Sequence, residues 1–329
     1  MPPLPSGRPK PSPLEEQRVL EQMKGGGNGT ITKLPALLQN KSFTRDDSQG
    51  LPHFSNSQLG MYLRCGKQYE YRYIKGIKTP PQMKLGSGKA IHNVFETNSK
   101  VKMTSGDDMP IADMLDHAAT EHDKQMQDVE DETPKTIAKD KDASISIAGH
   151  YRRIYAPAIT PLAAEWGFTI ELDDDELGTD YLPVIGFVDA SSVLPDPRKG
   201  PTEGQPIIAM EDYKKTWQRK GQLEVDVNTQ LTLYDYAFNL KTGRLPDVIG
   251  LRQLGVGGPR SQKPGPFAEL VLRSPAQMAP EVRGNRHKRV LNQMKAAQRA
   301  IRQGVFIPTD DPKTCSWCGY REDCQDKVV

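Results

Sequence analysis

The four cysteines constrain this chain more than any other feature. Cys315, Cys318 and Cys324 form a Cys-x2-Cys-x5-Cys cluster near the C-terminal end, while Cys65 stands far upstream. So dense a cluster at one end is not accidental core cysteine. Four thiolates can hold Zn²⁺ or an iron–sulfur cluster. A zinc ribbon usually shows two local Cys-x-x-Cys knuckles. Here one knuckle exists and the remaining cysteine is remote, which favours a 4Fe–4S cluster over zinc. A shared site of either kind would clasp the first helix to the last residues. Four cysteines among 329 residues do not make a secreted disulfide scaffold.

Between those ends, Ile207-Ile208-Ala209-Met210-Glu211-Asp212-Tyr213-Lys214 reads as a buried strand. Side chains alternate faces along a strand, so Asp212 and Lys214 point one way and Tyr213 the other. A carboxylate beside an ammonium can be a surface ion pair and no more. The pattern recurs in Asp311-Pro312-Lys313, within a proline-rich polar stretch read as a loop, where it is chance. The first copy gains meaning from its neighbours. Leu182–Ala190 predicts a strand ending near Asp189, and antiparallel adjacency would bring Asp189 to Asp212. Two carboxylates converging at strand ends suit Mg²⁺ or Mn²⁺, because hard cations take oxygen ligands. With Lys214 alongside, the trio suits metal-assisted attack of water on a phosphodiester.

The rest of the chain is organised around these features. Residues 1–50 are a Pro/Gly-rich tail or linker, and order is expected over 51–329. Ser55 or Ser57 can cap a helix carrying Leu59, Tyr62, Leu63 and Tyr69, with Cys65 inside it. Tyr71, Tyr73 and Ile74 continue an aromatic segment best read as core. A second helix is predicted after Gly86-Ser87-Gly88, bearing Ile91, His92, Phe95 and Glu96. Residues 101–160 are charged and helical in tendency, an insert whose His117, His122 and acids read as a solvated face rather than a metal site. Strands are predicted at Trp166–Leu172, Val248–Gly255 and Phe267–Leu272, with an acidic turn at Asp173-Asp174-Asp175 and a connection over 195–206. Val227–Leu240 predicts a helix presenting Gln230 and Tyr234. Residues 256–266 form a Gly/Pro loop. A long basic helix over Pro280–Gln303, closed by Gly304, offers either a solvated or a phosphate-contacting face.

Net charge is only +2, so a nucleic-acid partner must be argued from local patches rather than from the total. No apolar run approaches the roughly 18–20 residues of a membrane span. The start, Met1-Pro2-Pro3-Leu4-Pro5, lacks the apolar core of a signal peptide. The expectation is a cytoplasmic protein without a membrane partner. Gly86-Ser87-Gly88-Lys89 invites a phosphate loop, but Met83 and Ala90 stand where that pattern needs Gly and Ser or Thr. With no nucleotide-binding motif, the chain is not itself a helicase.

Six loose motifs occur in one order. They are Ser57-x-Leu59-x2-Tyr62-x2-Cys65, Gly88-x3-His92, Gly186-x2-Asp189, Asp212-Tyr213-Lys214, Gln230-x3-Tyr234 and the terminal cysteines. In that order they resemble the RecB-like branch of the PD-(D/E)xK nucleases, in particular members with an iron–sulfur clasp. The AddB nuclease domain, CRISPR-adaptation exonucleases and phage-encoded relatives are of this kind. The resemblance covers roughly residues 53–326. It implies an α/β fold with a restriction-endonuclease-like core: a mixed central sheet flanked by helices, with a helical insert and a cluster-binding C-terminus over 313–326. It implies His92, Asp189, Asp212 and the carbonyl of Tyr213 as Mg²⁺ or Mn²⁺ ligands, and Lys214 as the residue that positions or activates water. Gln230 and Tyr234 would support the site or touch DNA, and Cys65, Cys315, Cys318 and Cys324 would hold the 4Fe–4S cluster.

The implied function is a DNA exonuclease acting on single-stranded ends, in recombination, repair or phage DNA metabolism, with a helicase or recombination protein as a fitting partner. Two departures stand out: Gly66 replaces a common proline after the first cysteine, and Lys215 separates the motif lysine from Thr216. Two other classes remain open. One is a non-catalytic single-stranded DNA-binding subunit with a vestigial site. The other is a zinc-clasped structural protein.

Overall fold

One five-stranded sheet carries the molecule. Its strands are β1 (Thr160–Ile170), β2 (Val184–Pro195), β3 (Pro206–Lys215), β4 (Val248–Gly257) and β5 (Gly265–Arg273), and they lie in sequence order across the sheet. All neighbours are antiparallel except β3 and β4, which run parallel. That one parallel step needs a crossover, which the helices α6 (Gln222–Asp226) and α7 (Thr229–Thr242) supply. The structure is a computed structural model and describes residues 53–130, 132–172, 181–198, 205–216, 219–257 and 265–328. The predicted tail over 1–50 and the acidic turn at Asp173-Asp174-Asp175 lie outside the described residues, as do parts of the 195–206 and 256–266 connections.

Helices cover both faces. On one, Ile208 and Met210 of β3 join Trp166, Phe168 and Val188 under Leu231, Tyr234 and Phe238 of α7. Val290 and Met294 of α8 (Pro280–Arg302) complete that core. On the other, Tyr213 of β3 packs with Ile91, Phe95, Met114, Ile147 and Tyr151. These come from α3 (Met83–Ser105), α4 (Ile111–Met126) and α5 (Pro134–Ile154), so the stretch 101–160 is helical as its composition predicts. The alternation of β3 between two cores separates Tyr213 from Asp212 and Lys214. Among the described residues, no helix is long and apolar enough to cross a membrane.

The N-terminal segment departs from the expected single helix. Ser55 caps α1 (Asn56–Arg64) by accepting from Gln58 N. The helix stops at Cys65, whose backbone is extended at φ −163°, and resumes as α2 (Gly66–Tyr69) and a π turn over Glu70–Ile74. Cys65 therefore sits at a break, not within a helix. A Cβ on Gly66 would lie 2.5 Å from Ile307 N, and Gly66 N donates to Ile307 O at 2.7 Å. A proline there would lack that donor, which accounts for the departure from the family pattern.

Two further expectations are corrected. Gly86-Ser87-Gly88 lies inside α3 rather than before it. Asp311 is not in a structureless loop: it caps the short helix α9 (Pro312–Ser316), accepting from Lys313 N and Thr314 N.

Candidate functional site

β2 runs on past Asp189 to Pro195, so Asp189 is not at its end. It does mark the end of pairing with β3, whose last β2 partner pair is Ala190 with Glu211. One step beyond, Asp189 Oδ2 accepts from Tyr213 N at 2.7 Å. The two strands thus part where Asp189 and Asp212 stand, which opens room between carboxylates. His92 arrives from α3: its Nε2 is 2.5 Å from Tyr213 O, and its Nδ1 is 3.3 Å from Asp189 Oδ2. Lys214 Nζ lies 2.9 Å from each oxygen of Asp212. Gln230 Nε2, from the first turn of α7, donates to Asp212 Oδ1 at 2.9 Å and to Tyr234 OH at 2.6 Å. All the predicted residues of this group, His92, Asp189, Asp212, Tyr213, Lys214, Gln230 and Tyr234, therefore meet in one network.

Burial sets the electrostatics. It drives the Asp212 carboxyl up to about 6, with Asp189 adding to the rise and Lys214 opposing it. Burial would also raise Asp189, but His92, Lys214 and the Tyr213 N–H outweigh it and hold Asp189 below the ordinary value. Burial works against the Lys214 ammonium, yet Asp212 and Asp189 lift it above the usual lysine value. The His92 imidazolium is likewise disfavoured by burial but favoured by Asp189 and Asp212, and its pKa ends raised. Burial pushes the Tyr234 phenol well above its ordinary value, so it stays a neutral partner for Gln230. Asp212 Oδ2 is buried and accepts no well-formed hydrogen bond. Its close contact is the Lys214 ammonium at 2.9 Å, and an acceptor oxygen held that way by charge alone fits a cation ligand. Among the described residues, no three His, Cys, Asp or Glu side chains are already drawn in to ion-ligating distance.

The two motif glycines serve opposite ends. At Gly88, four residues before His92, a Cβ would meet nothing within 4 Å, so the helix face beside the imidazole is open. At Gly186 a Cβ would come within 2.4 Å of the Phe168 ring, which covers the glycine from the facing strand. Glu96, one turn beyond His92 on the same helix, pairs with Lys100.

Three features escape motif reading. Lys215, next to the motif lysine, turns to the opposite face and is buried against Ser87 of α3 and Asp140 and Ser144 of α5, the latter two at 2.7 and 2.8 Å. His122 Nε2 closes that group on Asp140 Oδ2 at 2.9 Å. His122 is thus fully buried, not part of a solvated face. Glu165 falls between the pairs Ala164–Ala190 and Trp166–Val188, opposite Asp189, with φ +50°. Left-handed backbone at a non-glycine residue is costly and gathers at functional sites.

Cys65, Cys315, Cys318 and Cys324 are free thiols, and all four line one small cavity. The C-terminal segment is held against residues 62–77 by other contacts as well. Tyr62 OH donates to Val305 O at 2.9 Å, Tyr71 OH to Asp323 O at 3.0 Å and Tyr320 OH to Ile77 O at 3.3 Å, and Tyr71 stacks on Tyr320. The basic helix α8 is partly a packing element. Arg286 donates to Asp226 O at 2.6 Å, Arg283 to Pro275 O at 3.2 Å, and His287 is buried against Asp235. Lys288, Arg289 and Arg302 remain exposed.

A mixed sheet between helices, with acids, a lysine and a histidine gathered where two strands part, is the architecture of a nuclease of the restriction-endonuclease-like class. Residues 53–325 match the PD-(D/E)XK nuclease superfamily, and the chain belongs to that superfamily. Comparison with curated proteins finds no match. The chain is similar to a solved structure described as "Crystal structure of SSO0001", at 11% identity and a TM-score of 0.29, over 73% of this chain and 86% of that one. A likeness that weak adds nothing to the reading.

Proposed function

We propose that this nuclease is a Mg²⁺- or Mn²⁺-dependent DNA exonuclease that hydrolyses phosphodiesters from single-stranded ends. Its nuclease domain would span 51–329, with 101–160 as a helical insert and Cys65, Cys315, Cys318 and Cys324 holding a 4Fe–4S clasp. The observation that carries the reading is the fully buried Asp212 carboxylate, one oxygen of which has the Lys214 ammonium at 2.9 Å but no well-formed hydrogen bond, close enough to Asp189 and His92 for both to act on its charge. Asp212, Asp189, His92 and the Tyr213 carbonyl are the groups that would hold the ion. When bound, a divalent cation would supply Lewis acidity, lowering the pKa of water and offsetting charge at phosphorus.

The chain's own residues do the rest. Lys214 brings an ammonium beside Asp212, where it can orient water toward phosphate and balance the charge that develops on the phosphoryl oxygens. Gln230 holds Asp212 by its Nε2 and is itself fixed by Tyr234. The four free thiols on one cavity support the clasp. Intact acids and lysine at the site argue against the vestigial reading.

The test is a time course on DNA labelled at either end, single- and double-stranded, with and without Mg²⁺ or Mn²⁺. Single-stranded DNA should be degraded from an end only when the ion is present. Asp189→Ala and Lys214→Ala should each lower the rate at least about a hundredfold while the fold is retained. Full ion-dependent cleavage by the double variant would refute the site. Tight strand binding by the native chain with no cleavage under either ion would favour the non-catalytic subunit.

A further inference from the structure

A groove of about 650 Å³ opens between α1, the π turn, the start of α3 and the C-terminal segment. Three exposed cations line it: Arg64, Arg72 and Lys313. Arg64 leans on the neutral Gln68 Oε1 at 3.1 Å and forms no ion pair among the described residues. The carboxylate among the lining residues, Asp311, is already engaged by Lys313 N, Thr314 N and Thr314 Oγ1. Three cations against that one carboxylate leave the lining residues with net positive charge. Over it stands Trp317, 76% exposed, and Leu85, 69% exposed. A large indole so open to solvent, in a groove that three cations also line, is suited to stack on a base. Duplex DNA keeps its base faces stacked inside, so an indole cannot cover one there.

The groove also points toward the site. Leu85 and His92 lie about two turns apart on one face of α3, roughly 10 Å along the axis. Lys89 is exposed on the same side, and the position of a Cβ on Gly88 is open space.

The geometry points to a single-strand track: a base stacks on Trp317, phosphates meet Arg64, Arg72 and Lys313, and the strand runs along α3 past Lys89 to His92. This rests on the nuclease reading for its polymer. It places the track on α1, α3 and the C-terminal segment rather than on α8, and gives Lys313 a use that its sequence pattern did not suggest.

Binding of a fluorescein-labelled oligothymidylate to the full chain, followed by anisotropy in EDTA so that nothing is cleaved, tests it. Trp317→Ala and Arg72→Glu should each weaken binding about tenfold or more. Trp317→Phe should retain affinity within about threefold, because a phenyl ring still stacks. Arg72→Glu should also flatten the salt dependence by about 0.7 in log–log slope. Lys139→Glu, a charge reversal at an exposed lysine of α5 that does not line the groove, should bind as the native chain does. Native-like strand affinity in both Trp317→Ala and Arg72→Glu would overturn the track, as would a loss confined to an acidic polypeptide such as polyaspartate. If binding falls as expected but the native chain cleaves nothing with Mg²⁺ or Mn²⁺, the track stands and the exonuclease reading fails.

Discussion

At the scale of single residues, the site was legible where chemistry needs a particular side chain. Asp212 and Lys214 share a face because a strand alternates, and Asp189 meets them because β2 is antiparallel to β3. What was not legible depends on neighbours distant in sequence. Nothing local distinguishes Lys215 from a solvated lysine, yet it is buried on the opposite face. The roles of the glycines were equally hidden, since a motif does not say whether a missing side chain makes room for a ligand or for a ring. Gly186 makes room for Phe168, which Trp166 and Tyr234 hold edge-on at 6.2 and 6.0 Å. Gly186→Ala should therefore cost about 1–3 kcal/mol in urea unfolding. It should also slow cleavage, because the displaced ring presses on Tyr234 and so on Gln230. Native stability in this variant would mean that the ring yields freely.

At the scale of elements, periodicity predicts the strands and the major helices, but it starts the first strand at Trp166 where β1 begins at Thr160, and it misplaces the start of α3. Glycine costs about 1 kcal/mol inside a helix, which made Gly86-Ser87-Gly88 look like a boundary. The helix runs through because α4 crosses so closely that a Cβ on Gly86 would lie 2.9 Å from Gln125 O. Tertiary packing outweighs propensity there. The same helices are tied to β3 by Asp140 of α5, which links His122 and Lys215. Burial opposes the Asp140 carboxylate, but His122 and Lys215 prevail and bring its pKa from 3.8 down to about 2. A folded pKa below the unfolded one means stability present above pH 3.8 and lost as pH falls toward about 2. The size is about 2 kcal/mol. Urea unfolding across that acid window should show the loss in the native chain. Asp140→Asn should remove that slope and be less stable at neutral pH. An unchanged slope would assign the acid sensitivity to other carboxylates.

At the scale of the whole molecule, the cysteine spacing predicts that the segment around Cys65 meets the C-terminal residues, and residues 62–77 do lie against that segment. It could not announce the tyrosine-to-carbonyl bonds or the Gly66–Ile307 contact, which rest on backbone geometry. If the four thiols hold iron and sulfide, anaerobically prepared protein should be yellow-brown, with iron and sulfide bound together. Cys315→Ser should be colourless and melt at a lower temperature. A colourless native chain with stoichiometric zinc would assign the clasp to zinc, and a native chain with neither metal would remove it.

The closure has a consequence for synthesis. Tyr62 bonds to a carbonyl 243 positions later, and Tyr71 to one 252 positions later. A ribosome finishes α1, α3 and the whole sheet before it makes the residues that cover them, and contacts of such long sequence separation form late. Until the last stretch emerges, Gly66 and Tyr71 have no partner and the groove has no Trp317 wall. If the proposed track holds, a nascent chain that already carries His92, Asp189, Asp212 and Lys214 still lacks the wall that would guide a strand to them. For a nuclease, the late synthesis of the segment that carries Val305, Tyr320 and Asp323 is then itself a safeguard.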